Sequence, residues 1–329
     1  MPSQESRAAI HTTGLRKSFG DQVVLDGLEL DVPPGTVFAL LGANGAGKTT
    51  TVKILSTLIR ADAGAAQVAG HDVGREPDAV RAAIGVTGQF SAVDNLLTGE
   101  ENLLLMADLH HLGRGERRRR AAQLLAQFEL VDAANKPVST YSGGMRRRLD
   151  LAMTLVGDPQ VIFLDEPTTG LDPRSRRNMW QIVRDLVAGG VTIFLTTQYL
   201  QEADELADRI AVLGHGRVVA EGTAEQLKRR ISGGHVRLQF ADRQGLDAAI
   251  SALGPQAARD NGDSRDHRDG DALALRVPSD GSMRSLKTLI DRLDAQAIEV
   301  DELSVHTPDL EDVFLALTGS AIHEKASMR

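Results

Sequence analysis

The chain has 329 residues and is acidic, with 37 Lys and Arg against 45 Asp and Glu and a net charge of -8. This length predicts about two domains, and the charge argues against a nucleic-acid partner, which would require a basic surface. The absence of cysteine excludes disulfides, thiol catalysis and cysteine-bound metals. No apolar run approaches the ~18–20 residues that span a bilayer, and the N-terminus lacks the apolar core of a signal peptide. We therefore expect any membrane-spanning part to belong to a separate chain.

The first predicted elements are three short strands that lead into a glycine-rich loop. The strands lie at Ala8–Thr13, Val23–Leu30 and Thr36–Leu41. The loop, Gly42–Thr49, follows the third strand and precedes a segment whose apolar residues have helical spacing. This order of strand, loop and helix is the setting that the pattern G-x-x-x-x-G-K-[ST] requires. The sequence therefore predicts a phosphate-binding loop and a bound nucleoside triphosphate.

The residue types in this loop suit the binding of phosphate. Glycines allow successive backbone N–H groups to point at phosphate oxygens, and the helix N-terminus adds partial positive charge. Lys48 can reach the β- and γ-phosphates, and Thr49 can supply a hydroxyl ligand to Mg²⁺. The alternative is a glycine-rich turn that binds no ligand. The predicted nucleotide contacts here are Gly42, Asn44, Gly45, Ala46, Gly47, Lys48, Thr49 and Thr50.

A helical insert with a second candidate anion site follows a strand at Ala83–Val86. Apolar residues recur at near-3.6 spacing over residues 95–157, which predicts the insert. Near its end, Ser142 can cap the helix Arg146–Leu155, while the two following glycines, Gly143 and Gly144, leave backbone N–H groups accessible. By itself, a Ser-Gly-Gly segment is more often an ordinary loop than a binding site.

A pair of adjacent carboxylates comes after the next apolar strand, Val161–Leu164. Asp165 can hold Mg²⁺ directly or through water. Neighbouring side chains diverge at the end of a strand, so Glu166 can face a water instead and act as the general base for attack on the γ-phosphate. The alternative interpretation is a surface Asp-Glu pair without a catalytic role.

The remaining elements complete a parallel sheet and then a small second domain. The apolar run Val191–Leu195 predicts another strand of a sheet that is covered on both faces, and Asp172 can cap a helix with Pro173 at its first position. A hairpin is predicted over residues 210–220. The later elements are strands at His235–Phe240, Ala272–Val277 and Ile298–Val305, and helices at Leu246–Leu253, Met283–Leu293 and Leu310–Leu317. The acidic segment Asp260–Asp271 lacks the spacing of a calcium loop and is predicted to be a solvated loop.

Taken together, five motifs resemble the ATP-binding cassette (ABC) family over about Ala8 to Leu227. They are the phosphate loop, Gln89, Ser142–Gly144, Asp165–Glu166 and Gly170–Asp172. The resemblance implies an α/β P-loop NTPase with a mixed sheet core, an antiparallel β subdomain and a helical insert at about 95–157. We expect an ABC ATPase domain over residues 1–227 and a small α/β accessory or regulatory domain over residues 228–329.

The family resemblance also implies roles that the residue pattern alone does not. Two cassettes face head to tail, so this chain is expected to form a homodimer that binds ATP and Mg²⁺ between one subunit's phosphate loop and the other subunit's Ser142–Gly144. Gln89 would sense Mg²⁺ and the attacking water, and Asp172 would touch the opposite site. Phe19 would stack on adenine, with ordinary core packing as the alternative.

Two residues depart from the usual family pattern. Gln198 stands where the family usually has His, and Met145 stands where it usually has Gln. A glutamine amide can donate to the γ-phosphate but cannot carry charge or relay a proton, so we expect a greater dependence of catalysis on Glu166. Gln198 and the segments Tyr141–Arg148, Val86–Gln89 and Leu310–Gly319 are similar to the daunorubicin-resistance type of ATPase subunit.

This similarity implies an ATP-hydrolysing subunit of a bacterial drug exporter. It would act on the cytoplasmic face of the membrane with a separately encoded permease and confer antibiotic resistance by efflux of a hydrophobic compound. The alternatives are a soluble cassette ATPase of translation or DNA repair, and a nucleotide-binding regulator without turnover. The consecutive arginines of the signature segment contact nucleotide or a partner in one interpretation and form a solvated helix face in the other; they are Arg146, Arg147 and Arg148.

Overall fold

The computed structural model describes residues 8–88, 92–230, 234–254, 258–259, 273–279, 282–306 and 308–317. The chain divides into two compact units between Ala224 and Glu225. The sequence-based boundary at Leu227 lies within the same helix, Ala224–Arg229. Each unit is described separately below.

The first unit has ten strands and eight α-helices among the described residues, counting the helix that crosses the division. The strands are β1 (Ile10–Phe19), β2 (Gln22–Val32), β3 (Val37–Leu41), β4 (Ala63–Val68), β5 (His71–Asp72), β6 (Ile84–Thr87), β7 (Val161–Asp165), β8 (Thr192–Thr197), β9 (Arg209–Gly214) and β10 (Arg217–Gly222). The α-helices are α1 (Lys48–Leu55), α2 (Pro77–Ala83), α3 (Gly99–Leu109), α4 (Arg114–Gln127), α5 (Gly143–Thr154), α6 (Pro173–Ala188), α7 (Leu200–Leu206) and α8 (Ala224–Arg229).

A six-stranded sheet in the order β10-β9-β3-β8-β7-β6 forms the centre of this unit. Strands β9, β3, β8, β7 and β6 are parallel, and β10 joins them through the predicted hairpin. Every residue of β3, β7 and β8 is buried, as expected for apolar strands covered on both faces. The carboxyl ends of the parallel strands share one edge, and this places the segments after β3, β6, β7 and β8 side by side.

A second, antiparallel sheet has the order β2-β1-β4-β5 and shares a hydrophobic core with the first. At the centre of that core, the ring of Phe194 stacks on Phe38 with centroids 5.8 Å apart and meets Phe163 edge-on at 5.6 Å. The sequence did not predict β4, β5 or α2. Strand β4 reads AGAAQV and carries little of the β-branched or aromatic signal that identifies strands, so its pairing with β1 stabilises it.

The helical insert is confirmed as α3, α4 and α5 with two short 3₁₀ helices. The Thr98 side chain caps α3 and accepts a hydrogen bond from the backbone of Glu101, whose own side chain bonds back to Thr98. Ser142 caps α5 by accepting from the Met145 N–H, as the sequence predicts, although α5 starts earlier than expected. The cap at Asp172 with Pro173 at the first position of α6 is also confirmed.

The second unit is a four-stranded antiparallel sheet with two helices that contribute to one core. Its elements are β11 (His235–Gln239), α9 (Arg243–Leu253), β12 (Ala258–Arg259), β13 (Ala274–Pro278), α10 (Met283–Asp294) and β14 (Glu302–His306), followed by a helix over residues 310–317. The strand order is β12-β13-β11-β14. The strand predicted from Ile298 begins at Glu302 instead, because Ile298 and Val300 pack against the core as part of the connection. The segment Asp260–Asp271 lies outside the described residues.

Candidate functional site

The phosphate loop leaves the carboxyl end of β3 in a conformation that only glycine adopts freely. Gly45 and Gly47 have φ angles of 80° and 113°. A Cβ on Gly47 would also lie 2.7 Å from the Leu25 side chain, so a larger residue would require that side chain to shift. Gly47 ends the loop as the N-cap of α1, which directs the N-terminus of that helix into the loop.

Lys48 holds a buried positive charge at the end of this loop. Its side chain is 5% exposed, and Nζ donates hydrogen bonds to the carbonyls of Gly42 at 2.8 Å and Ala43 at 3.1 Å. Nζ also lies 3.6 Å from Oε1 of Glu166. Burial lowers the pKa of Lys48, while the charges of Glu166 and Asp165 oppose that shift. The loop therefore places a largely desolvated cation at the N-terminus of α1, and both features suit a phosphate group.

Asp165 and Glu166 diverge at the end of β7, as the sequence predicts. Asp165 is buried and accepts a hydrogen bond from the Thr196 hydroxyl on the neighbouring strand. Glu166 has a φ of 50°, and its backbone N–H donates to the Thr196 carbonyl at 3.0 Å. A left-handed glutamate is uncommon, and such strained residues concentrate at functional sites. In this conformation the Glu166 carboxylate faces Lys48, whereas the Asp165 carboxylate faces Thr196.

Gln198 follows β8 directly beside the start of the phosphate loop. The carbonyl of Thr197 accepts a hydrogen bond from the Gly42 N–H at 3.3 Å, so the residue before Gln198 is tied to the first residue of the loop. The Thr197 hydroxyl accepts from the Tyr199 N–H at 2.9 Å, which shapes the turn into α7. Gln198 itself is half-buried. Gln89 lies outside the described residues, directly after Gly88.

The Ser142–Gly144 segment lies against the N-terminus of α6. A Cβ on Gly144 would stand 2.6 Å from the Ser175 hydroxyl, which donates to the Asp172 carboxylate at 2.5 Å. Contacts therefore bring the Ser-Gly-Gly segment and the Asp172 cap together. Ser142, Gly143 and Asp172 are exposed. We call Ser142–Gly144 the signature loop and α5 the signature helix below.

Phe19 is an exposed aromatic side chain at the end of β1. It is 52% exposed, so the alternative of core packing is wrong for this residue. The Lys17 ammonium lies 5.3 Å from the centroid of its ring. Asn44 and Gly45 are likewise exposed, while Ala46, Thr49 and Thr50 are half-buried. The exposed ring of Phe19 is therefore available to a planar ligand.

The surroundings of two charged residues were not predicted from the sequence, which named Arg147 only as a contact for nucleotide or a partner or as part of a solvated face and did not name Glu202 at all. The first is Arg147, whose side chain is 11% exposed and bonds to the carbonyls of Gly88 and Pro167, so a solvated helix face is wrong for it. The second is Glu202, which is fully buried on α7. A polar residue on a short helix normally predicts a solvent-facing position, and no signal in the sequence marks either one as buried.

Glu202 links α7 to the loop that follows Glu166. Its Oε1 accepts hydrogen bonds from the Thr168 hydroxyl at 2.8 Å and from the Trp180 ring N–H at 3.3 Å. Burial raises the pKa of Glu202, and hydrogen bonding to Thr197, Thr168 and Trp180 opposes the shift only in part. A raised pKa in the folded state means that ionisation of Glu202 opposes folding.

The stability of the first unit is therefore expected to depend on the protonation of Glu202. The protonated Glu202 side chain contributes its full stabilisation below the ordinary glutamate pKa of 4.5. This contribution is lost as the pH rises through the raised pKa of Glu202 in the folded protein. In Glu202→Gln this loss is absent, so the free energy of unfolding of the variant should rise relative to wild type across that window. Urea unfolding can be followed by fluorescence of Trp180, the single tryptophan of the chain. A difference between the two proteins that stays constant with pH would contradict the assignment.

The parallel sheet, the glycine-rich loop at its carboxyl edge and the buried Lys48 define a P-loop nucleotide-binding protein. The ABC transporter family model matches residues 25–169. The daunorubicin resistance ATP-binding protein DrrA3 of Streptomyces coeruleorubidus is 49% identical over 94% of this chain and 96% of its own length. The chain belongs to the ABC transporter family, as an ATP-binding subunit that hydrolyses ATP.

Two further relatives also match over nearly the whole length of both chains. The daunorubicin/doxorubicin resistance ATP-binding protein DrrA of Streptomyces peucetius is 47% identical over 99% of this chain and 97% of that protein. The Nod factor export ATP-binding protein I of Ralstonia nicotianae is 36% identical over 98% of both chains. Among solved structures, an ATP-binding subunit of an ABC transporter has a TM-score of 0.61 and 29% identity, covering 68% of this chain and 92% of that one. Within the described ranges, no helix is both long and apolar enough to cross a bilayer.

Proposed function

We propose that this protein is the ATPase subunit of a bacterial exporter that moves hydrophobic, drug-like compounds through a separate membrane permease. One observation supports ATP hydrolysis at this site. The buried Lys48 ammonium lies 3.6 Å from the Glu166 carboxylate at the phosphate loop. Export of a drug is supported by the names of the relatives that share 47–49% identity across both units. The Nod factor export relative, at 36% identity, supports export with a different cargo.

The residues at the loop suit ATP with Mg²⁺. The Thr49 hydroxyl and the Asp165 carboxylate are hard oxygen ligands of the kind that Mg²⁺ prefers, and few protein ligands are needed because phosphate oxygens and waters complete its shell. When bound, Mg²⁺ would neutralise charge on the β- and γ-phosphates. Lys48 would bind the same phosphates through its ammonium group. Gln89, which follows Gly88 in the chain, would contact the metal and the attacking water.

Glu166 is then the general base. Its carboxylate would accept a proton from the water that attacks the γ-phosphate, while the Gln198 amide would donate a hydrogen bond to a γ-phosphate oxygen. A glutamine cannot relay a proton, so the proton stays with Glu166 in this scheme. The presence of Glu166 beside Lys48 argues against a nucleotide-binding regulator without turnover.

A complete ATP site would require two copies of this chain. Ser142, Gly143 and Asp172 are exposed, and Ser142 heads a helix whose N-terminus suits an anion. In a head-to-tail homodimer, the signature loop of one copy and its Asp172 would complete the site of the other copy. Phe19 would stack on the adenine. We assign subunit assembly or regulation to the second unit, and peripheral attachment at the cytoplasmic face of the membrane to the homodimer.

The proposed function is tested by isolating the partner and measuring transport. We expect a tagged chain, purified from membranes of its own host, to bring a membrane permease with it. In proteoliposomes, the pair should move doxorubicin only when ATP is present on the side of this chain. Lys48→Ala, assembled in the same way, should bind the permease but fail to transport. ATP-dependent movement of an unrelated cargo, with none of doxorubicin, would overturn the assignment to drug export.

A further inference from the structure

The three consecutive arginines of the signature helix make different contacts. Arg146 donates to the carbonyl of Tyr141, one turn back along the same segment. Arg148 donates to the carbonyl of Phe128 at 2.9 Å and lies 3.2 Å from the Glu129 carboxylate, within the helical insert. Both of these residues therefore stabilise the insert itself. Arg147 alone among the three is directed out of the insert, toward the edge of the central sheet.

Arg147 bonds to the segments that follow two strands of that sheet. Its Nη1 donates to the carbonyl of Gly88 at 2.9 Å, after β6. Its Nε donates to the carbonyl of Pro167 at 2.9 Å, and its Nη2 lies 3.5 Å from the carbonyl of Asp165. Asp165 and Pro167 are the two neighbours of Glu166 in the chain. The planar guanidinium therefore reaches the backbone on both sides of Glu166 at once.

Asp150 completes this arrangement from the next turn of the same helix. Its Oδ2 lies 3.2 Å from Nη1 of Arg147, and its Oδ1 accepts a hydrogen bond from the Ala92 N–H at 3.0 Å. The Asp150 side chain is only 3% exposed. Together, Arg147 and Asp150 hold Gly88 and Ala92, the residues described on either side of the short segment that contains Gln89. Burial lowers the pKa of Arg147, and Asp150 is the first of the carboxylates whose charge opposes this shift.

We propose that Arg147, oriented by Asp150, is a positioning residue that ties the signature helix to the backbone around Glu166 and to the residue before Gln89. A guanidinium suits this task because its fixed fork bonds several acceptors in one geometry, which a lysine ammonium cannot reproduce. The carbonyls it binds carry no charge of their own, so Asp150 supplies the compensating negative charge for the buried cation.

This inference rests on the proposed function, in which Ser142 serves the ATP site of the opposite subunit. Ser142 caps the helix that carries Arg147, so the two residues move as one body. A shift of Glu166 or Gly88 at a chain's own ATP site is then transmitted to the signature loop that acts on the other site. In the homodimer, this link would couple each ATP site to the signature loop that completes the other.

The test compares ATP binding and turnover in the full-length protein and four variants. They are Arg147→Met, Arg147→Lys, Asp150→Asn and the matched control Arg148→Met, which removes the same charge from the same helix. We expect Arg147→Met to lower kcat about 10- to 100-fold per bound ATP, with the ATP dissociation constant within about threefold of wild type. Arg147→Lys should recover part of kcat, and Arg148→Met should stay within about threefold of wild type.

A double variant separates positioning from general destabilisation. Because both side chains act through one link, Arg147→Met with Asp150→Asn should be no slower than Arg147→Met alone. Three results would each overturn the proposal. They are a wild-type kcat per bound ATP in Arg147→Met, a loss of kcat in Arg148→Met as large as in Arg147→Met, and fully additive losses of kcat in the double variant. If Arg147→Met does not fold, Arg147→Lys and Asp150→Asn are compared in the same way. The kcat ratios between variants are measured by ATP hydrolysis alone. A failure to export doxorubicin would therefore contradict the proposed function without changing these ratios.

Discussion

Glu166→Gln is expected to lower ATP turnover by about 10²–10⁴, the usual contribution of a general base, while ATP binding is retained. The glutamine has the same shape and keeps an oxygen near Lys48, but it cannot accept the proton of the attacking water. ATP that is bound but not hydrolysed should hold the two subunits together, since product formation separates them in the proposed cycle. Steady-state turnover, ATP affinity and the size of the protein with and without ATP measure these three effects.

Glu129→Gln provides the matched control for this substitution. Glu129 has a φ of 54°, close to the 50° of Glu166, but its carboxylate is exposed and pairs with Arg148. The same chemical change in the same backbone conformation should therefore leave turnover near the wild-type rate. If Glu166→Gln hydrolyses ATP within about threefold of wild type, Glu166 is not the general base.

The second large effect is expected from mixing two inactive variants. Lys48→Ala removes the buried cation from a chain's own phosphate loop, whereas Ser142→Arg blocks the signature loop that the opposite subunit uses. Each variant alone forms a homodimer with two defective sites. A mixed dimer has one site with an intact Lys48 and an intact Ser142, so activity should return toward half of the wild-type value in the fraction of protein that is mixed.

Mixing two chains that carry the same substitution provides the control for this experiment. Two chains that carry the same substitution, labelled with different tags, should stay inactive after mixing because neither of their sites is complete. Formation of the mixed dimers is established by sequential purification through the two tags. Tagged mixed dimers that are no more active than either parent would contradict the shared site and the head-to-tail homodimer with it.

The sequence determined the phosphate loop, the strand that ends at Asp165 and the caps at Ser142 and Asp172. Each of these depends on residues that are close in the chain, because a strand, a turn and the first turn of a helix are set by local backbone preferences. The glycines at positions 45 and 47 are needed for positive φ angles within the loop itself. For the same reason, the divergence of Asp165 and Glu166 was predictable before any contact was known.

The positions of Arg147 and Glu202 depend on contacts that are distant in the sequence. Arg147 meets Gly88 across 59 residues of sequence, and Glu202 meets Thr168 across 34. The partners of Arg147 beyond Asp150 are backbone carbonyls, which every residue type possesses, so no side-chain pattern marks them in advance. Strand β4 was missed for a related reason, because its stability comes from pairing with β1 rather than from its own residues. Long-range contacts of this kind bury the arginine and the glutamate, and burial is what separates them from the exposed charged residues that the sequence alone predicts.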